Sequence, residues 1–193
     1  GGRALVAGDL TTTGVPLEPA GTMTYHELFE IYTEQITALA EAGADLLVVE
    51  TMLGIDEMTV ALEAAQSVCA LPVLCSMTVQ ADGSGYFGGT CVEAVETLQE
   101  LGAAAVGINC STGPDQLESL VRNMRQAAKV PLLVKPNAGM PEISPEGEAI
   151  YSMGPAAFAQ HMRTLIDAGA ALVGGCCGTD PRYIYALRDV LPR

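Results

Sequence analysis

The chain has 193 residues, 49% hydrophobic and 17% charged, which is enough apolar mass for one core and excludes a disordered chain. Its 23 acids against 9 bases give a net charge of −14, and aromatics make up 5% with no Trp. A phosphate-binding face and a base-stacking platform are both excluded, so no nucleic-acid partner is expected.

In chain order, the apolar run Ala4–Gly8 reads as a first buried strand, with Asp9 at its end. Thr24–Ala42 reads as a helix, opened by the capping-box pair Thr24 and Glu27. The strand Asp45–Glu50 and the helix Ile55–Ala70 follow. The strand Pro72–Val79 leads into a cluster of glycines, Gly83 to Gly89, which lacks a phosphate-loop Lys and reads as a βα loop. Then come the helix Thr90–Leu101, the strand Ala104–Cys110, the helix Pro114–Lys129, the strand Pro131–Pro136 and the helix Pro155–Ala168. The strand Ala171–Cys176 and a helix opened by Asp180 and Pro181 close the chain. Three helices end on Gly43, Gly102 and Gly169, each just before an apolar strand, as the left-handed C′ position requires. Strand and helix alternate with short connections throughout, which predicts an α/β fold with a parallel sheet in one domain, 1–193. Six βα units leave an open doubly wound sheet and a (β/α)8 barrel lacking two units as the candidate architectures.

No apolar run reaches the ~20 residues of a membrane span, and no signal segment opens the chain. Six cysteines in a chain this long and apolar point to a reducing cytoplasm with thiols kept for a metal or for catalysis, rather than to a disulfide framework. Cys69, Cys75 and Cys91 fall on a helix end, inside a strand and at a helix start, and read as inert packing. Cys110, Cys176 and Cys177 fall at strand C-terminal ends, the face where parallel α/β folds build their sites. Neighbouring strand residues point to opposite faces, so Cys176 and Cys177 reach one centre only if the backbone leaves strand geometry. Gly174, Gly175 and Gly178 supply that freedom. The three thiolates are expected within about 4 Å of one another, able to hold Zn²⁺ with one position open. A zinc on three thiolates is a mediocre Lewis acid but a good site for a fourth thiol, which points to alkyl transfer to sulfur. Glu50 ends an apolar strand at the same face, where a lone carboxylate is costly, so it meets a bound cation or a neighbour. Asp9 follows the same logic. His26 and His161 lie within helices and read as surface residues.

The motifs Val48-Val49-Glu50-Thr51, Gly107-Ile108-Asn109-Cys110-Ser111, Pro136-Asn137-Ala138-Gly139-Met140-Pro141 and Gly174-Gly175-Cys176-Cys177-Gly178-Thr179 run over nearly the whole chain. In them the sequence resembles the homocysteine S-methyltransferase family. The Pro-Asn-Ala-Gly-x-Pro segment and the stretch from Tyr151 through Pro155 to Phe158 are closest to the homocysteine-binding module of cobalamin-dependent methionine synthase. The resemblance implies a (β/α)8 barrel, with zinc on Cys110, Cys176 and Cys177. It implies that Glu50 binds the substrate ammonium and that Asn137 fills the open zinc position when substrate is absent. It also implies a methyl group from methylcobalamin on a corrinoid-binding domain or protein, with S-methylmethionine or betaine as alternative donors and an inactive thiol- or zinc-binding remnant as the non-catalytic alternative. Against the family pattern, the chain starts at the third strand, and Gly8-Asp9-Leu10 stands where a Gly-Pro is usual. The expectation is therefore a six-stranded sheet whose first and last strands are unpaired edges, since six strands do not satisfy an eight-strand barrel geometry.

Overall fold

Residues 4–191 are described by a computed structural model. Six parallel strands form one sheet in the order β1 (Ala7–Leu10), β2 (Leu46–Met52), β3 (Val73–Met77), β4 (Ala105–Cys110), β5 (Leu132–Pro136) and β8 (Ala170–Val173). Between them run α1 (Tyr25–Glu41), α2 (Ile55–Val68), α3 (Cys91–Glu100), α4 (Glu118–Ala127) and α5 (Pro155–Asp167), and α6 (Pro181–Val190) follows β8. β1 to β5 pair in sequence order and β8 then pairs with β5, so each parallel pair is joined by a crossover that contains a helix. Leu47, Val49, Cys75 and Val106 from the strands pack with Leu28, Ile36, Leu62 and Val95 from the helices in one continuous core.

Local chemistry fixes the helix starts. Thr24 Oγ1 accepts from the Glu27 N–H at 3.2 Å, and the Glu27 carboxylate accepts from the Thr24 N–H at 3.0 Å, the reciprocal cap expected from sequence. Thr90 and Glu93 build the same cap on α3. Asp180 caps α6 by accepting from the Arg182 N–H at 2.8 Å.

Four boundaries differ from the expected ones. The first strand is Ala7–Leu10 rather than Ala4–Gly8, because pairing begins opposite Leu46; Leu5 and Val6 remain exposed. The helix expected over Pro114–Lys129 is split into a 3-10 turn, Pro114–Gln116, and α4, with Leu117 between them. The strand expected over Ala171–Cys176 ends at Val173, so the cysteine pair sits in a loop. A two-stranded antiparallel hairpin, β6 (Pro141–Ile143) with β7 (Ala149–Tyr151), occupies a stretch that carries no strand signal in the sequence. Its turn is held by Ser144 Oγ, which accepts from the N–H groups of Glu146 and Glu148.

Among the described residues β1 and β8 each have a single neighbour and do not pair with one another, which matches the expected open edges. The sheet nonetheless curls. Glu50 on β2 and Lys135 on β5 form an ion pair although β3 and β4 lie between them. In a flat sheet three strand spacings would hold them about 14 Å apart. Curvature brings the strand C-terminal ends together on the concave face.

Among the described residues no helix is long and apolar enough to cross a membrane.

Candidate metal centre

Beyond β8 the chain leaves strand geometry at Gly174 and Gly175. A side chain at 175 would stand 2.5 Å from Thr179 Oγ1, so this turn requires glycine. The Cys176 N–H donates to the Pro136 carbonyl at 2.8 Å, and the Cys176 carbonyl accepts from the Thr179 hydroxyl at 2.7 Å. Gly178 has φ +78°, and a Cβ there would meet Tyr151 of the hairpin at 2.3 Å. Tyr151 therefore closes over the cysteine loop.

From β4, Cys110 has φ +60° and Ser111 φ +65°, left-handed values that non-glycine residues rarely hold. The turn aims Cys110 at the loop after β8. The sulfurs of Cys110, Cys176 and Cys177 lie within 4.8 Å of one another, and Cys110 Sγ is 3.8 Å from Cys177 Sγ. Four ligands at ~2.3 Å around a tetrahedral zinc stand about 3.8 Å apart, so the closest pair has the required separation and the set fits a three-thiolate site. The thiol of Cys110 beside Cys176, helped by the Asn109 side-chain amide, holds the Cys176 thiol down to about 5, while Cys110 is pushed far up by sharing its proton and by burial. The Tyr151 hydroxyl is raised by burial first and then by the neighbouring sulfurs.

Asn137 is buried, and its Oδ1 accepts from the Cys177 N–H at 3.1 Å. The Ala138 N–H donates to the Cys177 carbonyl at 2.9 Å, so the β5 loop grips the cysteine loop from both sides. Glu50 lies on the concave face and is paired with Lys135. Asp9 also faces this cation; burial raises its carboxyl and Lys135 lowers it. Burial lowers the Lys135 ammonium in turn.

Two side chains of the candidate site escape sequence reasoning. Lys135 lies inside the strand expected over Pro131–Pro136, yet only curvature shows that it meets Glu50. Asn109 is 1% exposed, and its amide oxygen accepts from the Thr51 N–H at 2.8 Å and from Ser76 Oγ at 2.7 Å. Its amide nitrogen donates to Thr51 Oγ1 at 2.8 Å and toward Cys176 Sγ at 3.7 Å. Asn109 thereby holds Thr51 at φ +59° and ties the end of β2 to the cysteine loop. A cavity of about 180 Å³ beside Ser111 carries no carboxylate, thiol or imidazole in its lining. The reactive groups therefore belong to the cysteine cluster. Cys69, Cys75 and Cys91 stay apart from it, half-buried or buried.

A methionine synthase of Mycobacterium leprae is 31% identical over 186 residues, which are 93% of this chain and 15% of that protein. The apo form of the homocysteine methyltransferase MmuM from Escherichia coli superposes with a TM-score of 0.77 at 25% identity, over 98% of this chain and 64% of that one. Its metallated form superposes with a TM-score of 0.72 at 25% identity, over 87% and 52%. The chain thus spans less than two thirds of either relative. The family model for homocysteine S-methyltransferase matches residues 2–191, nearly the whole length, and the chain belongs to the homocysteine S-methyltransferase family.

Proposed function

We propose that residues 1–193 form one homocysteine-binding methyltransferase module, zinc-dependent and cytoplasmic, acting as part of a methionine synthase that draws its methyl group from methylcobalamin on a separate corrinoid-binding domain or protein. The single observation that carries this reading is the convergence of Cys110, Cys176 and Cys177 within 4.8 Å at the strand ends of a chain of this family. These three residues would hold Zn²⁺, and zinc on three thiolates, with one position open, acidifies a fourth thiol and presents it as a nucleophile. The larger size of the relatives and the curl of the sheet support a (β/α)8 barrel of which these six strands are an arc.

The chain's own residues supply the rest. Asn137 and Asn109 hold the cysteine loop through the Cys177 N–H and the Cys176 sulfur. Glu50, together with Asp9, which also faces Lys135, offers negative charge to the substrate ammonium and fixes the amino acid so that its thiol reaches the cluster. Tyr151 closes the outer side of the loop.

The test is methionine formation by zinc-loaded protein given homocysteine with methylcobalamin, S-methylmethionine or betaine in separate arms. Turnover with methylcobalamin alone is expected. Turnover only with a sulfonium or ammonium donor reassigns the donor. No turnover with any donor, together with no effect of homocysteine on a cobalt(II)-substituted centre, overturns the function.

A further inference from the structure

Lys135 is the unexplained charge of the concave face. It is half-buried, it pairs with Glu50, and both Asp9 and Cys176 lie close enough to favour its charge. Its stem runs past Gly174, where a Cβ would press on Lys135 Cγ at 3.3 Å; the glycine leaves it a slot. In register it stands opposite Asn109, one residue from the Cys110 position. A cation in this place would simply block Glu50 if Glu50 only had to receive an ammonium.

The pair makes sense for a ligand that carries both charges. We propose that Lys135 is the carboxylate-binding residue of the amino-acid site, so that a zwitterion exchanges partners with the Lys135–Glu50 pair. On binding, the ligand ammonium takes the place of Lys135 Nζ on Glu50, and the ligand carboxylate takes the place of Glu50 on Lys135. Every charge on the half-buried face then keeps a partner, so neither protein group is stranded without its counter-ion. Asp9 stays beside Lys135 and holds it on the concave face during the exchange. The ligand class is an α-amino acid with a thiol on a short chain, and Lys135 distinguishes it from a plain aminothiol. This inference rests on the proposed homocysteine reading and adds the carboxylate subsite.

The experiment uses the cobalt(II)-loaded protein and titrates homocysteine, 3-mercaptopropylamine, which lacks the carboxylate, and 4-mercaptobutyrate, which lacks the ammonium, following the thiolate–cobalt absorption. The wild-type protein should bind homocysteine at least about tenfold tighter than 3-mercaptopropylamine, the worth of one charge-assisted hydrogen-bonded pair. Lys135→Met should reduce that ratio to about one while leaving 3-mercaptopropylamine binding intact or tighter, and Lys135→Arg should restore most of the ratio. Equal binding of the two thiols by wild-type protein overturns the assignment without recourse to any variant. So does an unchanged ratio in Lys135→Met, or a loss of affinity for all three thiols alike. If no thiol alters the spectrum of the wild-type protein, the homocysteine reading fails and this inference fails with it; thiol binding that ignores the carboxylate removes Lys135 alone.

Discussion

Cys75 and Cys176 carry the same side chain to opposite ends of thiol chemistry. Cys75 lies in the middle of β3 with no exposed surface, and burial alone pushes its thiol up to about 12. Cys176 lies three residues beyond the end of β8, and the Cys110 thiol and the Asn109 amide pull it down to about 5. The difference lies in donors, not only in exposure. Within the sheet the backbone donors are spent on neighbouring strands, so a thiol there meets only apolar groups. Past the strand ends, the loop N–H groups, the Asn amides and a second thiol are free to stabilise a thiolate. The same contrast separates the inert cysteines from the cluster suited to a metal.

The sharpest way to break this comparison is alkylation of metal-free protein at pH 7, followed site by site by mass spectrometry. At that pH Cys75, pushed up by burial, stays a thiol, whereas Cys176, held down by the Cys110 thiol and the Asn109 amide, is a thiolate. A low-pKa thiolate is the weaker nucleophile, but burial also withholds Cys75 from reagent. Cys176 should react at least ~10³-fold faster. Because its folded value is depressed, it keeps its thiolate at neutral pH, and its rate should fall only as the pH drops through about 5. A midpoint near the ordinary thiol value of about 8.5 would contradict the hydrogen-bonded picture.

Replacing one cysteine from each set gives the next largest effect. Structural zinc sites bind with roughly 10 kcal/mol or more, so losing one of three protein ligands should weaken zinc by about a hundredfold or more. Cys110→Ala should therefore lose stoichiometric zinc in a competition assay. Cys75→Ala should keep it and cost only about 1 kcal/mol of stability in chemical denaturation. Zinc content that survives Cys110→Ala would remove the site.

Asn109→Ala sharpens the comparison at smaller scale. It deletes the amide that faces Cys176 and strands the Thr51 N–H, with all three cysteines left in place. Loss of such an orienting partner typically costs 10–100-fold in metal affinity, and zinc should weaken within that range. An unchanged affinity would mean that the cysteine loop holds its shape without β4.

Much of this was legible in the chain itself. The alternation of apolar runs with capped amphipathic helices specified a parallel α/β sheet, because each signal is local: the Thr24–Glu27 box and the Gly43, Gly102 and Gly169 ends need no distant partner. The cysteine pair among glycines was legible for the same reason. The 3-10 break at Leu117 and the Pro141–Tyr151 hairpin were not, since both depend on which surface lies beneath the segment.

The sequence by itself singled out the candidate residues, three cysteines, Glu50, Asp9 and Asn137, and its strand periodicity set them at or near the strand C-terminal ends. Only the tertiary structure decided which of them meet. The curl of the sheet carries β2 to β5 and joins Glu50 to Lys135 across 85 positions of sequence, and the left-handed turn at Cys110 brings its sulfur to a loop 67 positions away. The physical reason is that residue type and spacing are written along the chain, whereas strand curvature and buried hydrogen bonds such as those of Asn109 are set by packing between elements distant in sequence, and no local pattern encodes them.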